Sequence, residues 1–342
     1  MSRSKRAFVM AVVLAGVVAV RLLAAPPIVV KLATQAPANT TWHKALTDMG
    51  DAWNKSTTGR VTLQVYAGGT QGDEPTTIRM MRPAIGTLQA GLLTAGGLSL
   101  IDDSFNVFGI PFFFETDDEE LAVQEKLAPI LEQKLEAKGF HLLCWGSGGW
   151  VELFSKKPLK TLADVKGAKL YTSKGDDRMY QWYASNGFHP VALLPADIPA
   201  QLKLATGLID TAPSTPYLAL SLQIFRDSKY MLQLHIAPLV GGLVLSAEAW
   251  NKIAPEDRTK VTEAAAALES RIRTDAPKQD AESITAMTAR GLQVITLDAK
   301  TAGDFRTAAN QLTASMRGGM VPADIYDLAV SARDAYRKSK GR

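Results

Sequence analysis

The sequence predicts an α/β fold of two lobes, joined by strands that cross between them more than once. Three observations predict it. Short strand-like runs alternate with amphipathic helices in two separate series along the chain. About 317 residues follow an N-terminal leader, more than one hydrophobic core usually serves. No long Gly/Ser linker separates the two series, and no repeat with a period of roughly 20–50 residues suggests a solenoid.

Val29 to Ala33 reads as the first strand, and Pro37, Asn39 and Thr40 after it suit a turn and a helix cap. The first helix runs from Trp42 to Lys55 and ends near Thr57-Thr58-Gly59. Val61 to Tyr66 alternates at period two and closes with Ala67-Gly68-Gly69. A helix from about Glu74 to Met81 and a buried strand over Thr87 to Thr94 complete a β-α-β-α-β order. That order argues for a parallel or mixed doubly wound sheet.

The second series opens with a strand from Gly139 to Trp145, which enters a glycine turn at Gly146-Ser147-Gly148-Gly149. Trp150 to Ser155 and Lys169 to Thr172 are further strands, Asp176 to Asn186 a helix, and Pro190 to Leu194 a strand. Gly207-Leu208-Ile209-Asp210 leads into a helix from Pro216 to Phe225. From Ala247 the chain is mainly helical, through Trp250 to about Arg290 and again from Thr301 to Lys338. The expected division is a leader over 1–25, a first lobe over 26–147 to which about 239–275 returns, and a second lobe over 148–238 with a helical part over 276–342.

The leader sets the compartment. Arg3, Lys5 and Arg6 precede an apolar run from Ala7 to Val20, which Arg21 interrupts. The run is too short for a hydrocarbon core that needs about 20 residues. A basic head, a short apolar middle and the small Ala24 and Ala25 read as a secretory signal. Pro26 is awkward after a cut, so an uncleaved signal anchor is the alternative. Either way the remainder is expected outside the cytoplasm.

Lys+Arg total 38 and Asp+Glu 34; Arg3, Lys5, Arg6 and Arg21 lie in the leader, which leaves 34 of each after it. A balanced chain without a basic stripe argues against a nucleic-acid partner. Cys144 is the only cysteine, so there is no internal disulfide, no CxxC pair and no lipid-anchoring cysteine after the leader. With 46% hydrophobic residues, stability rests on the core.

Thr161-Leu162-Ala163-Asp164-Val165-Lys166-Gly167-Ala168-Lys169-Leu170 resembles the "tpeDlkGlKiR" region of DctP-type receptors of tripartite ATP-independent periplasmic (TRAP) transporters. Around it, Gly69-Thr70-Gln71-Gly72-Asp73-Glu74 is similar to the family's "gqlGde" turn, and Phe108 to Phe114 to its "lPflf" segment. Leu204 to Asp210 resembles "LqtGvvDg", and Trp250-Asn251-Lys252-Ile253 the "Wdkl" that opens a long helix. The ordered matches span about Val29 to Ala266. The resemblance implies a periplasmic-binding-protein fold with a small-molecule ligand in a cleft between the lobes. It also implies long C-terminal helices bracing both, TRAP membrane subunits as partners, and no cofactor or metal. Whether the helical C-terminal part supports a homodimer is left open.

The chain departs from the family where most members clamp a ligand carboxylate. Arginine suits that task because its fork matches two carboxylate oxygens. The matching position here is Tyr171; a second basic position falls near Val151, and a family asparagine corresponds to Ser214. Two readings follow: a less polar ligand walled by Tyr171, Trp150 and Trp182, or a carboxylate held by Lys174 or Arg178 instead. Trp42 at the start of the first helix, Trp150 after the glycines, and Gly97 where the first lobe approaches the ligand join the candidates, as does Ser214 as a donor. Each has a packing alternative, core or turn.

Catalysis is poorly served. His43, His141, His189 and His235 lie far apart, with no HExxH or HxH spacing. Gly146-Ser147-Gly148 is not a GxSxG elbow. An exported hydrolase is therefore the weaker rival, and a receptor presenting its ligand to a signalling partner is the stronger.

Overall fold

The computed structural model describes residues 26–342, so the expected leader lies outside the described residues. Among the described residues, eleven strands form two sheets. In chain order they are β1 (Ile28–Thr34), β2 (Val61–Tyr66), β3 (Ala90–Thr94), β4 (Phe140–Trp150), β5 (Glu152–Ser155) and β6 (Lys169–Ser173). Then come β7 (His189–Leu193), β8 (Thr211–Ser214), β9 (Tyr230–Gln233), β10 (Pro238–Ser246) and β11 (Gln293–Thr296). The first sheet has the order β2-β1-β3-β10-β4 and the second β11-β9-β5-β8-β6-β7. The chain is thus a two-lobed α/β protein.

In the first sheet β1 runs parallel to β2 and β3, because a helix returns the chain after each strand. Strand β10 then inserts antiparallel between β3 and β4. Alternation along these strands feeds two cores. Val30, Leu32, Leu243 and Leu245 face helix Thr41–Ser56 and the first half of the long helix Pro255–Thr288, with Trp53 and Val261 buried among them. Ala33, Val240 and Val244 face the other way, toward Phe105, Phe108, Phe114 and helix Asp117–Ala137. The second sheet behaves likewise: Phe154 and Met231 serve one core, their neighbours Leu153 and Leu232 the other.

Four passages connect the lobes, and three of them run side by side; the fourth follows β11 and brings the chain back to the first sheet's core at Met316. Strand β4 continues as β5, and β9 returns as β10; between them Val151 N–H donates to Ala237 O at 2.9 Å and Ile236 N–H to Val151 O at 3.0 Å. The third passage is the long helix, whose Ile272 belongs to the first sheet's core and whose Met287 belongs to the second's. Pro277 sits between those halves, where its missing N–H interrupts the helical ladder.

The structure corrects the sequence reading at several points. The glycines Gly146 to Gly149 do not form a turn; they lie inside the eleven-residue β4. They are small because neighbours press on them: a Cβ on Gly146 would lie 3.4 Å from the Trp42 ring, and one on Gly148 2.7 Å from Leu239. Gly149, at φ +86°, would place its Cβ 2.0 Å from Asp280 Oδ2. The last helix, Ala323–Ser339, packs on Asp117–Ala137 beside the first sheet, not with the second lobe as expected. Arg337 on it donates to the buried Glu119 at 2.5 Å. Most of helix Asp117–Ala137 and all of β8 to β11 escaped the sequence reading. No described helix is long and apolar enough to cross a membrane.

Buried Glu120 generates a test of the core. Its Oε2 lies 3.6 Å from Arg273, and its Oε1 finds no hydrogen-bond partner among the described residues. Burial pushes its carboxyl up to about 7, opposed by Arg273 and assisted by Asp117 and Glu269. Its pKa is higher folded than unfolded, so its favourable share is full at low pH and lost as pH rises through 7. Ionising it inside the fold costs up to about 3 kcal/mol. Glu120→Gln is therefore expected to raise Tm over the wild type by several degrees at pH 8 and hardly at all at pH 5. Melting curves at the two pH values decide it; an equal difference at both would refute the buried proton.

Candidate functional site

The cleft lies where strand ends of both sheets and the helices they feed come together. On the first sheet's side, Asp73 caps helix Glu74–Met81 and Thr94 caps the short helix Ala95–Ser99. From the second sheet, β6 runs into Ser173-Lys174-Gly175-Asp176, and Asp176 caps helix Asp177–Ser185 by accepting from Met179 N–H at 3.0 Å. The two sides touch closely: a Cβ on Gly175 would lie 2.3 Å from the Pro75 ring.

Two carboxylates converge on Gly96-Gly97. Glu74, on the first side, accepts from Thr94 N–H at 2.6 Å and from the Thr94 hydroxyl at 2.8 Å. Its Oε2 stands 2.5 Å from where a Gly97 Cβ would be, so a side chain there would push the Glu74 carboxylate away from Thr94. Asp176, on the second side, places Oδ2 3.2 Å from the Cβ position of Gly96. Neither carboxylate has an ion-pair partner among the described residues. Burial pushes the Glu74 carboxyl up, its Thr94 bonds oppose this, and Asp176 and Asp73 add to the rise. Burial also raises Asp176, against its bond from Met179. The Tyr171 phenol shares this environment: burial pushes it up, a Ser173 hydrogen bond opposes, and the charges of Glu74 and Asp176 contribute.

Direct contacts tie the lobes at the rim. Arg178 Nη1 meets Asp103 Oδ2 at 2.7 Å, with both side chains about half exposed. Thr41 N–H donates to the Tyr217 hydroxyl at 2.7 Å, and the Thr41 hydroxyl also reaches Gln279 Oε1 at 3.1 Å.

Behind the cleft, a polar cluster holds the crossing strands. The Trp150 indole N–H donates to Asp117 Oδ1 at 2.7 Å, and its ring stacks on His235 at 5.4 Å between centroids. His235, at φ 51°, bonds through Nδ1 to Glu152 Oε1 at 2.5 Å. The buried Glu152 also accepts from Leu234 N–H at 2.6 Å and His235 N–H at 3.0 Å. Asp280, on the long helix, accepts from Tyr217 N–H at 3.0 Å and Trp150 N–H at 3.3 Å. Burial raises it to about 6, with Glu152 and Asp117 adding to the rise and the two N–H donors opposing it. Glu152 chiefly, by its hydrogen bond, raises His235 against burial. No cluster of three metal-ligating side chains occurs among the described residues.

This two-lobed architecture has relatives. The sequence profile of the DctP family, described as bacterial extracellular solute-binding protein, family 7, matches residues 32–318. The chain belongs to the DctP family. The receptor is 24% identical over 267 residues to the 2,3-diketo-L-gulonate-binding periplasmic protein YiaO of Escherichia coli (strain K12), covering 77% of this chain and 79% of that one. Its fold is similar to a TRAP periplasmic solute-binding protein from Xanthobacter autotrophicus Py2 with bound β-D-galacturonate. There the TM-score is 0.80 at 21% identity, covering 89% of this chain and 99% of the other. DctP7 of Bordetella pertussis, an extracytoplasmic solute receptor binding pyroglutamic acid, gives 0.80 at 20% identity, with 90% and 99% covered.

The receptor brings together only part of the expected site. Tyr171 is half-buried beside the carboxylates, and Gly97 makes room for Glu74. Trp42 is half-buried against Gly146 and borders the long helix near Ile272 and Gln279. Trp150 is committed to Asp117 and His235 at the crossing, with no glycine turn beneath it. Ser214 is buried and donates to Thr215 O at 3.2 Å. Trp182 turns to packing: its indole N–H donates to Ser315 Oγ at 3.3 Å, and its ring stacks with Phe188. With Leu170 it lines an apolar cavity of about 50 Å³, on the face of β6 opposite Tyr171. Lys174 is exposed, and Arg178 is occupied by Asp103.

Sequence reasoning missed Glu74, Asp176, Asp280, Tyr217 and His235. Glu74 stood inside the quoted Gly72-Asp73-Glu74 turn, and Asp176 directly follows the β6 end that carries Tyr171. His235 carried no signal, because it matters through stacking and a bond to Glu152.

Removing the rim pair tests its role. Arg178→Ala is expected to raise the radius of gyration of the ligand-free receptor in small-angle X-ray scattering. Exposed pairs contribute at most about 1 kcal/mol, so Tm should fall by no more than about 4 °C. An unchanged radius would show that the pair follows closure without favouring it.

Proposed function

We propose that this receptor is the solute-binding component of a TRAP transporter. It closes its two lobes over a small organic molecule and delivers it to the membrane permease subunits. The observation that carries this reading is the family match over 32–318, together with groups of both lobes meeting at Gly96-Gly97. Residues 1–25 direct it to the periplasm and are removed there as a signal peptide. Its work is binding and release, without catalysis, cofactor or metal.

Ligand and lobes are coupled through the cleft. A solute that touches both sides binds the closed form more tightly than the open one, and so draws the equilibrium toward closure. Tyr171 supplies a wall and a hydroxyl from the second lobe, while Gly97 and Glu74 supply the first lobe's face. Trp42 borders the cleft near the crossing, and Lys174 and Arg178 stand at its rim. The missing arginine weighs against a ligand that depends on a bidentate carboxylate clamp, since an unpaired buried carboxylate costs several kcal/mol. Docking on the permease then opens the lobes and frees the solute.

Two outcomes are expected. Ligand at a hundredfold excess over Kd should stabilise the receptor by about 2.7 kcal/mol, read as a rise in Tm with a metabolite extract and then with its active fractions. Tyr171→Ala should lose at least tenfold in affinity by calorimetry while keeping the wild-type circular dichroism spectrum, about 1.4 kcal/mol of binding. Unchanged affinity would remove Tyr171 from the site.

A further inference from the structure

The cleft's charge bears on what it carries, an inference that rests on the receptor reading above. Glu74 and Asp176 approach the same Gly96-Gly97 turn from opposite lobes, and neither has an ion-pair partner among the described residues. Asp176 Oδ2 accepts no hydrogen bond among the described residues; its Oδ1 alone serves the helix cap. The residue at the arginine position is Tyr171, which brings no charge. The nearest basic side chains do not compensate: Arg178 is paired with Asp103, and Lys174 is exposed.

Helix N-termini around the cleft would by themselves favour an anion. Here the chain's own side chains take up one N–H at each of three of them. Thr94 Oγ1 accepts from Gly97 N–H at 3.1 Å and Asp176 from Met179 N–H at 3.0 Å, and Thr215 Oγ1 accepts from Leu218 N–H at 3.4 Å. Thr94 N–H itself goes to Glu74. A ligand carboxylate would meet two carboxyl groups that no cation among the described residues balances. A cation would meet two carboxylates brought together only when the lobes close, with an aromatic side chain beside them.

We propose that the cleft selects a solute bearing an organic ammonium group, seated between Glu74 and Asp176 next to Tyr171, and rejects its carboxylate counterpart. Selection and closure are then one event, because the ammonium neutralises a repulsion that closure otherwise creates.

Matched probes test this on the full mature receptor. The sets are benzylamine, benzyl alcohol and benzoate, and D-glucosamine, D-glucose and D-glucuronate, each at about 20 mM in thermal-shift and calorimetric titrations. In at least one set the amine should raise Tm and bind about tenfold or more tightly than the carboxylate. Glu74→Gln keeps an acceptor for Thr94, and Asp176→Asn keeps a helix cap; each should erase that preference while leaving the ligand-free Tm within a few degrees. Tyr171→Arg should reverse the preference toward the carboxylate.

Tighter binding of a carboxylate by the wild type would overturn the proposal and leave the receptor reading standing. So would indifference to every amine while a small-molecule extract still stabilises the protein. Failure of both probes and extract would sink the two readings together. A preference that survives in both Glu74→Gln and Asp176→Asn would also refute the assignment.

Discussion

The constraint on which the rest depends is the place where three of the chain's four passages between its lobes run side by side. Strands β4–β5 and β9–β10 stay paired through the passage, with Val151 bonded to both Ala237 and Ile236. The long helix crosses alongside them, and its Asp280 accepts from Trp150 and Tyr217. Paired strands bend together more easily than they slide apart, because sliding would break several ladder bonds at once. The geometry of the passage favours a hinge over sliding for relative motion of the lobes.

The hinge cluster is more than a joint. Glu152, buried and engaged by Leu234, His235 and the His235 ring, fixes a left-handed residue at the crossing. Asp280 and His235 both have raised pKa values, for different reasons: burial for the carboxylate, a carboxylate partner for the imidazole. Both hold a proton more readily when folded, so both contribute most below neutral pH and less as pH rises. Glu120 acts in the same sense. The lowered carboxyls Asp164, Asp257, Asp298 and Asp327 act in the opposite sense, and only in acid, where losing their hydrogen-bonded charge removes stability.

At the cleft, electrostatics and packing impose different demands on neighbouring residues. A side chain at Gly97 would displace the Glu74 carboxylate, which two bonds to Thr94 hold in that space. Asp176 serves a helix cap and the cleft at once. Two carboxyls thus flank the place where the lobes touch, and Tyr171, at the arginine position of the resemblance, brings no cation to them.

The sequence by itself determined the two-series α/β pattern and the family, because strand alternation, helix caps and ordered motifs are local. Val61–Tyr66 and Glu74–Met81 were legible to the residue for that reason. Tyr171 was legible as a site candidate through its place after the lysine and leucine of the motif. Only the tertiary structure decided that the glycines of β4 are pressed by Trp42, Leu239 and Asp280, and that the last helix returns to the first sheet. It also decided that Trp182 bonds to Ser315, while Glu74 and Asp176 approach one turn from opposite lobes. Those facts depend on residues about a hundred or more positions apart in the chain, and a local pattern carries no record of which distant side chain fills the space in front of it.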